Sequence, residues 1–215
     1  MKRLTLQFVY SFVMRYFLRW FVGVRLKVAH FLVKENQFII VANHNSHLDT
    51  MTLMASMPAS IVHKVRPVAA ADHFGKTRLK RFLTNYFVNS LLIRRKRDKD
   101  NPENDPINVM LQAIDNGDSL IIFPEGTRGE PEVKQTLKPG VAILLSKRPN
   151  TVWVPAYMAG MGTAMPKDDN LIVPVESKII FGEVQKIAEG ATVESILEAI
   201  EDAFVDLYIR LEEEN

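Results

Sequence analysis

The chain has 215 residues, of which 47% are hydrophobic, and it contains no cysteine. This length and composition are typical of one globular domain with a sizeable core, and the lack of cysteine excludes disulfides, cysteine-ligated metal sites and a cysteine nucleophile. The formal net charge of +2 is too small to indicate a general nucleic-acid-binding protein, so no nucleic-acid partner is expected.

Positive and negative charges are concentrated in different parts of the chain. Residues 1–34 contain seven Lys and Arg but no Asp or Glu, and residues 61–99 contain eleven basic residues against two acidic ones. Residues 183–215 reverse this balance, with ten acidic residues against two basic ones. The first two regions therefore favour anionic partners.

The first predicted element is an amphipathic helix within residues 1–30. Its longest uncharged run, Leu4–Met14, has eleven residues, whereas a membrane-spanning helix needs roughly 20. At helical spacing, five polar side chains recur every fourth residue and form one stripe, away from the aromatic residues: Arg3, Gln7, Ser11, Arg15 and Arg19. The pattern predicts a helix lying in the headgroup region of a membrane, with its arginines near lipid phosphates.

Three other interpretations of residues 1–30 stay open. The helix could pack against its own domain, since an apolar face also serves that purpose. A secretory signal peptide would share the basic start and short apolar core, although no small-residue cleavage site follows. A true membrane span is the third. Residues 31–215 are expected to form the remaining domain.

The next element is the apolar strand Gln37–Ala42, which is followed at once by Asn43-His44-Asn45-Ser46-His47-Leu48-Asp49. Across a turn, Asp49 can hold one imidazole nitrogen of His44 and leave the other free as a general base. Ser46 and Asp49 also match a capping box that opens a helix over Leu48–Met57, which would make Asp49 structural. His44, His47 and Asp49 could alternatively bind a metal, although no nearby fourth ligand is evident.

Two predicted strands, Val65–Ala70 and Ser90–Ile93, come next, and the second leads into a run of four bases, Arg94-Arg95-Lys96-Arg97. Such a run suits a phosphate group, but a solvated charge run has the same composition. A helix is predicted from Pro106 to Asn116, with Asp105 as N-cap and Gly117 as terminator.

The strand Ser119–Phe123 overlaps the second motif, Phe123-Pro124-Glu125-Gly126-Thr127-Arg128. Pro and Gly produce a sharp turn that presents the polar side chains at the strand end. Arg128 has the planar donor that best matches a phosphate, while a surface turn closed by a Glu–Arg pair is the simpler alternative.

The chain ends with two strands and a helix: Thr151–Tyr157, then Leu171–Val175 with an extension to Phe181 left open, then Thr192–Leu211 with one apolar face. Alternation of strands and helices predicts a single α/β domain with a mixed or parallel central sheet flanked by helices. Functional residues should then lie on loops at the strand ends, with His44 and Arg128 at the same edge of the sheet.

These motifs resemble those of the glycerolipid acyltransferase family, typified by 1-acylglycerol-3-phosphate acyltransferases, over about residues 37–183. The family's His-x4-Asp motif matches His44 and Asp49, and its Phe-Pro-Glu-Gly-Thr-Arg motif matches every position of residues 123–128. The family's second motif, Gly-x-x-hydrophobic-x-Arg, keeps its Arg at Arg95 but lacks its glycine. Lys138-Pro139-Gly140 and Val154-Pro155-Ala156 resemble its remaining elements.

The resemblance implies a role for each matched residue. His44 would be the catalytic base and Asp49 its partner, whereas no role falls on His47. The acceptor would be held by five residues: Arg95, Glu125, Gly126, Thr127 and Arg128. Neither a metal nor a cofactor is expected, since acyl-CoA or acyl-carrier protein serves as co-substrate.

The implied function is transfer of a fatty acyl group to a lysophospholipid, with 1-acylglycerol 3-phosphate giving phosphatidate as the first choice. The expected location is the cytoplasmic face of a membrane, as a peripheral or monotopic protein bound to the phospholipid surface. Glycerol 3-phosphate or a lyso-aminolipid is an alternative acceptor. An inert lipid-binding relative of the same fold and a metal-dependent hydrolase also stay open.

Overall fold

The computed structural model describes residues 1–71, 86–95, 101–129, 133, 135–165 and 172–213. Its sheet has seven strands in the order β1-β7-β6-β2-β5-β3-β4, and all neighbouring strands are parallel except β6 and β7. The strands are β1 Val24–Arg25, β2 Phe38–Ala42, β3 Val65–Ala70, β4 Leu91–Ile93, β5 Ser119–Ile122, β6 Val152–Ala159 and β7 Ser177–Phe181.

Helices cover both faces of this sheet, so the predicted single α/β domain is confirmed. The α-helices are α1 Lys2–Phe8, α2 Arg15–Phe17, α3 Leu48–Ala55, α4 Pro106–Asp115, α5 Gly140–Lys147, α6 Met161–Ala164 and α7 Val193–Glu213. Short 3₁₀ turns lie at His30–Lys34, Val62–Lys64 and Pro102–Asn104. The predicted cap of α4 is confirmed, because Asp105 Oδ1 accepts the Ile107 N–H at 2.9 Å.

Two hydrophobic clusters lie on opposite faces of the sheet, and the alternation of side chains along β2 separates them. Phe38, Ile40 and Ala42 face the cluster that contains the N-terminal helical segment and α3. Ile39 and Val41 face the cluster under α4, α5 and α7. Because every residue of β2 is buried, this strand is the centre of the fold, and the loop after it starts from a fixed point.

One predicted strand is wrong. Residues 172–176 are not in a strand, the strand of this region is Ser177–Phe181, and Leu171 lies outside the described residues. The Val173 N–H donates to Ala164 and the Val175 N–H donates to Val22, while Pro174 has no N–H to donate. Ile172 and Val175 pack against the core although their residues are not in a strand, while Val173 is exposed.

The N-terminal helix, residues 2–22, includes α1 and α2 with π-helical stretches at Val9–Met14 and Leu18–Val22. Four of its side chains lie in the core: Leu6, Tyr10, Leu18 and Val22. No helix in the described part of the chain is long and apolar enough to span a bilayer.

Three side chains of the polar stripe are hydrogen-bonded to the protein itself, while Arg3 and Arg19 are exposed. Arg15 donates to the carbonyls of Ala55 and Met57, Arg19 donates to that of Leu26, and Gln7 donates to that of Ala59. A helix end leaves carbonyl groups without intrahelical partners, and Arg15 supplies donors to those at the end of α3. The exposed surface of this helix also carries apolar and aromatic residues: Leu4, Phe8, Phe12, Val13, Tyr16, Trp20 and Phe21.

Candidate active site

The two sharpest motifs meet at one edge of the sheet. β2 and β5 are parallel neighbours, so the loops that leave their carboxyl ends lie side by side. The Gly129 N–H donates to the carbonyl of His44 at 2.9 Å, and an Arg128 guanidinium nitrogen contacts His47 Nε2. His44 and Arg128 therefore share this edge.

His44 and Asp49 form a hydrogen-bonded pair, with Nδ1 of the imidazole 2.9 Å from Asp49 Oδ2. The same oxygen accepts the backbone N–H groups of Asn45 and Ser46, each at 2.7 Å. Asp49 is 1% exposed, whereas the His44 side chain is 19% exposed. With Nδ1 donating to a buried carboxylate, Nε2 is the nitrogen left to accept a proton.

The capping interpretation of Asp49 holds in part. Asp49 accepts the Ser46 N–H at 2.7 Å, which is the carboxylate half of a capping box, whereas Ser46 Oγ accepts the N–H of Leu48 at 3.2 Å and not that of Asp49. The first turn of α3 and the imidazole of His44 therefore depend on one carboxylate. Its other oxygen, Oδ1, is buried without a partner among the described residues.

Residues from the two neighbouring strands contact His44 and the start of its loop. The ring of Phe123 stacks on that of His44, with centroids 4.1 Å apart and planes 18° apart. The carboxamide of Asn43 exchanges two hydrogen bonds with the backbone of Met158, both 2.8 Å long. The start of the loop is thereby joined to β6 on one side and to β5 on the other.

Glu125 is turned inward. It is 8% exposed, and its Oε2 accepts the His44 N–H at 2.9 Å and the Gln135 side-chain amide at 2.9 Å. The pKa of Glu125 is raised to about 7, mainly by burial; the hydrogen bond from the His44 N–H acts to lower this pKa, and the negative charge of Asp49 acts to raise it. Gly126 turns the chain at φ +71°, and Thr127 is exposed.

A cavity of about 520 Å³ opens beside this turn, on the face of the sheet covered by α4 and α5. Its wall is mainly apolar and comes from β3, β4, β5 and the two helices, and three cations border it: Arg94, Arg95 and Lys138. Phe123 and Gly126 also line it, so the cavity adjoins the residues around His44. Lys96 and Arg97 of the predicted basic run lie outside the described residues.

The structure thus brings His44, Asp49, Glu125 and Arg128 into one cluster of loops, and it places Arg95 and Gly126 at the adjoining cavity. Sequence reasoning gave no role to Gln135 or Gly129, which complete the contacts of this turn. Neither residue belongs to a recognisable local pattern. The one feature that could have pointed to them is that they follow residues 123–128 closely in the chain. Within the described residues, no group of three or more His, Asp or Glu side chains is arranged to hold a metal ion.

The comparisons with known proteins agree with this fold. A family model described as Acyltransferase matches residues 23–175. The crystal structure of the 1-acyl-sn-glycerophosphate (LPA) acyltransferase PlsC from Thermotoga maritima is similar with a TM-score of 0.77, at 20% sequence identity, over 98% of this chain and 81% of that one. Among proteins with curated functions, no match is found.

Proposed function

Since the chain belongs to the acyltransferase family, whose model matches residues 23–175, we propose that it transfers a fatty acyl group from an acyl thioester to a hydroxyl of 1-acylglycerol 3-phosphate. The observation that carries this proposal is the His44–Asp49 pair beside an apolar cavity bordered by cations. The named activity of the similar PlsC structure supports the choice of acceptor.

The proposed reaction uses His44 as general base. Nε2 takes the proton of the acceptor hydroxyl while the hydroxyl oxygen attacks the thioester carbonyl. Asp49 keeps the proton of the imidazole on Nδ1 and stabilises the imidazolium that forms. The new C–O bond replaces the C–S bond, and the departing thiolate receives the proton from Nε2. No metal or cofactor enters the scheme, because the thioester supplies the activated acyl group.

We propose that the acceptor phosphate is bound by Arg95 and Arg128, with Gly126 and Thr127 presenting the turn between them. Guanidinium groups match phosphate oxygens in pairs. Arg95 borders the cavity that Phe123 also lines, and Arg128 contacts His47. The apolar wall of the cavity suits a fatty acyl chain.

The lipid acceptor also suggests a location, and we propose that residues 1–30 bind the cytoplasmic face of a membrane. The exposed apolar side of the N-terminal helix supports this: Trp20 is 78% exposed and Phe21 is 69% exposed. Aromatic side chains on one face are the signature of a helix that lies in the interface. The donor, acyl-CoA or acyl-carrier protein, would then approach from the aqueous side.

The experiment tests each candidate acceptor with each candidate donor. Purified full-length protein is incubated with lysophosphatidate, glycerol 3-phosphate or a lyso-aminolipid, each with acyl-CoA and with acyl-carrier protein as donor, and products are identified by mass. We expect phosphatidate from lysophosphatidate, and a loss of roughly 10²–10⁴-fold in rate for His44→Ala.

His47→Ala is the companion variant, because the imidazole of His47 contacts Arg128 and not Asp49. It should raise the KM of the acceptor while most of kcat survives. Product from another acceptor alone would correct the substrate, and wild-type protein that forms no acyl product with any pair would refute the function.

A further inference from the structure

The carboxylate of Glu125 is aimed at the backbone of His44 and away from solvent. Its Oε2 accepts the His44 N–H at 2.9 Å, and the Glu125 residue is only 8% exposed. A negatively charged or buried neutral carboxyl in this position cannot attract a phosphate. The contact instead joins the loop after β5 to the loop after β2.

Gln135 holds Glu125 in this orientation. Its side-chain amide donates to Glu125 Oε2 at 2.9 Å and approaches the carbonyl of Thr127 at 3.4 Å, so the side chain lies across the turn. Gly129 makes room for it, because a Cβ at residue 129 would come within 2.6 Å of Gln135 Cδ. A side chain there would displace Gln135.

The peptide groups on both sides of His44 are therefore held by the loop after β5. Glu125 accepts its N–H, and the Gly129 N–H donates to its carbonyl at 2.9 Å. With the Phe123 ring stacked on the imidazole, the backbone and the ring of His44 are both placed by residues 123–129. A displacement of about 1 Å at a reacting group can cost roughly 10²-fold in rate.

We propose that Glu125 and Gln135 are positioning residues, which fix the backbone of His44 so that Nε2 meets the acceptor hydroxyl. This inference rests on the proposed function, and it replaces the acceptor contact that the family resemblance implied for Glu125. The two assignments differ in what they predict: a residue that positions His44 affects kcat, whereas a residue that binds the acceptor affects its KM.

The kinetic test compares Gln135→Ala, Glu125→Ala and Glu125→Gln with Gln37→Ala. Gln37 is the matched control, because it donates two side-chain hydrogen bonds to the carbonyls of Ile114 and Asp118, at the other end of β2. We expect kcat to fall about tenfold for Gln135→Ala, the loss that one hydrogen bond to a charged group accounts for, and roughly 10²-fold for Glu125→Ala.

Glu125→Gln should recover most of the kcat that Glu125→Ala loses, since its carbonyl can still accept the His44 N–H. The acceptor KM should stay close to that of the wild type in all four variants. A raised acceptor KM with unchanged kcat would overturn the inference, and so would an equal loss of kcat in Gln37→Ala.

Amide hydrogen exchange tests the same contact without any substrate, so it separates this inference from the proposed function. In the wild type the His44 N–H should exchange slowly, and Gln135→Ala should speed its exchange about tenfold or more, while the Val41 N–H of β2 is unchanged. Gln135→Ala retains the buried carboxylate and is the variant to rely on if Glu125→Ala does not fold. Unchanged exchange at His44 would reject the positioning role even if the wild type is an active acyltransferase.

Discussion

At the scale of single residues, Asp49 serves two purposes through one oxygen. Oδ2 accepts the His44 ring and the N–H groups of Asn45 and Ser46, so a substitution changes both the dyad and the start of α3. The Ser46 hydroxyl makes no contact with the His44 ring: it accepts the Leu48 N–H at the start of α3 and donates to the carbonyl of Met165. The pair of residues therefore offers a way to separate catalysis from capping.

We expect Asp49→Asn to lower kcat by roughly 10²–10⁴-fold, because an amide that donates to Nδ1 moves the imidazole proton to Nε2. Its free energy of unfolding should fall by only about 0.5–2 kcal/mol, the usual value of a helix cap. Ser46→Ala should lose a similar amount of stability while kcat per folded molecule survives. Urea unfolding and steady-state rates are measured for both variants. If each variant loses activity only in proportion to its loss of folded protein, a catalytic role of Asp49 is contradicted.

Glu125 leads to a prediction about pH. Burial is the main reason that its pKa is raised from 4.5 to about 7, so the folded state holds this proton more tightly than the unfolded state does. The contribution of the protonated Glu125 side chain to the free energy of unfolding is complete below its unfolded pKa of 4.5 and is lost as the pH rises through 7.

Glu125→Gln removes this titration. Relative to the wild type, the variant should therefore gain on the order of 3 kcal/mol in free energy of unfolding between about pH 4 and about pH 8. Urea titrations across this range measure the difference between the two proteins, so that other titrating groups cancel. Two stability curves that stay parallel would mean that Glu125 ionises normally in the folded state.

At the scale of elements, the N-terminal helix combines polar side chains that bond to its own domain with apolar side chains that are exposed. Arg15 caps the end of α3, while Phe12, Trp20 and Phe21 are exposed. Deleting residues 1–24 would therefore also remove buried residues such as Leu18 and Val22. Point substitutions on the exposed side are the cleaner way to test membrane binding.

We expect Phe12→Glu combined with Trp20→Glu to weaken sedimentation with anionic vesicles by roughly 10²-fold, since each buried aromatic side chain contributes about 1.5–3 kcal/mol. Ile209→Glu is the control, because Ile209 is 50% exposed on α7, which packs on the opposite face of the sheet. Salt should weaken binding less than the double substitution does, because Arg15 is bound to carbonyls of the protein. Equal sedimentation of the double variant and the wild type would refute the assignment of this surface.

At the scale of the whole molecule, the features that could be predicted from the sequence are those that depend on local patterns of residues. Both motifs directly follow apolar strands, and parallel strands bring their carboxyl ends to one edge, so the juxtaposition of His44 and Arg128 followed. The contact between Gln135 and Glu125 could not be predicted, because it depends on the path of an irregular segment. The orientation of Arg15 could not be predicted either, because lipid phosphates and helix-end carbonyls both satisfy a guanidinium.

The hydrogen bonds that fix the surroundings of His44 join residues far apart in the sequence, so they form late in folding. The His44–Asp49 pair is separated by five residues, whereas Glu125 lies 81 residues from His44 and Met158 lies 115 residues from Asn43. Contacts of such sequence separation are slow to form, because loop closure must precede them. A nascent chain that has not yet added β6 therefore lacks the two hydrogen bonds between Asn43 and Met158, and the surroundings of His44 and Asp49 are completed only after β6 has paired with β2.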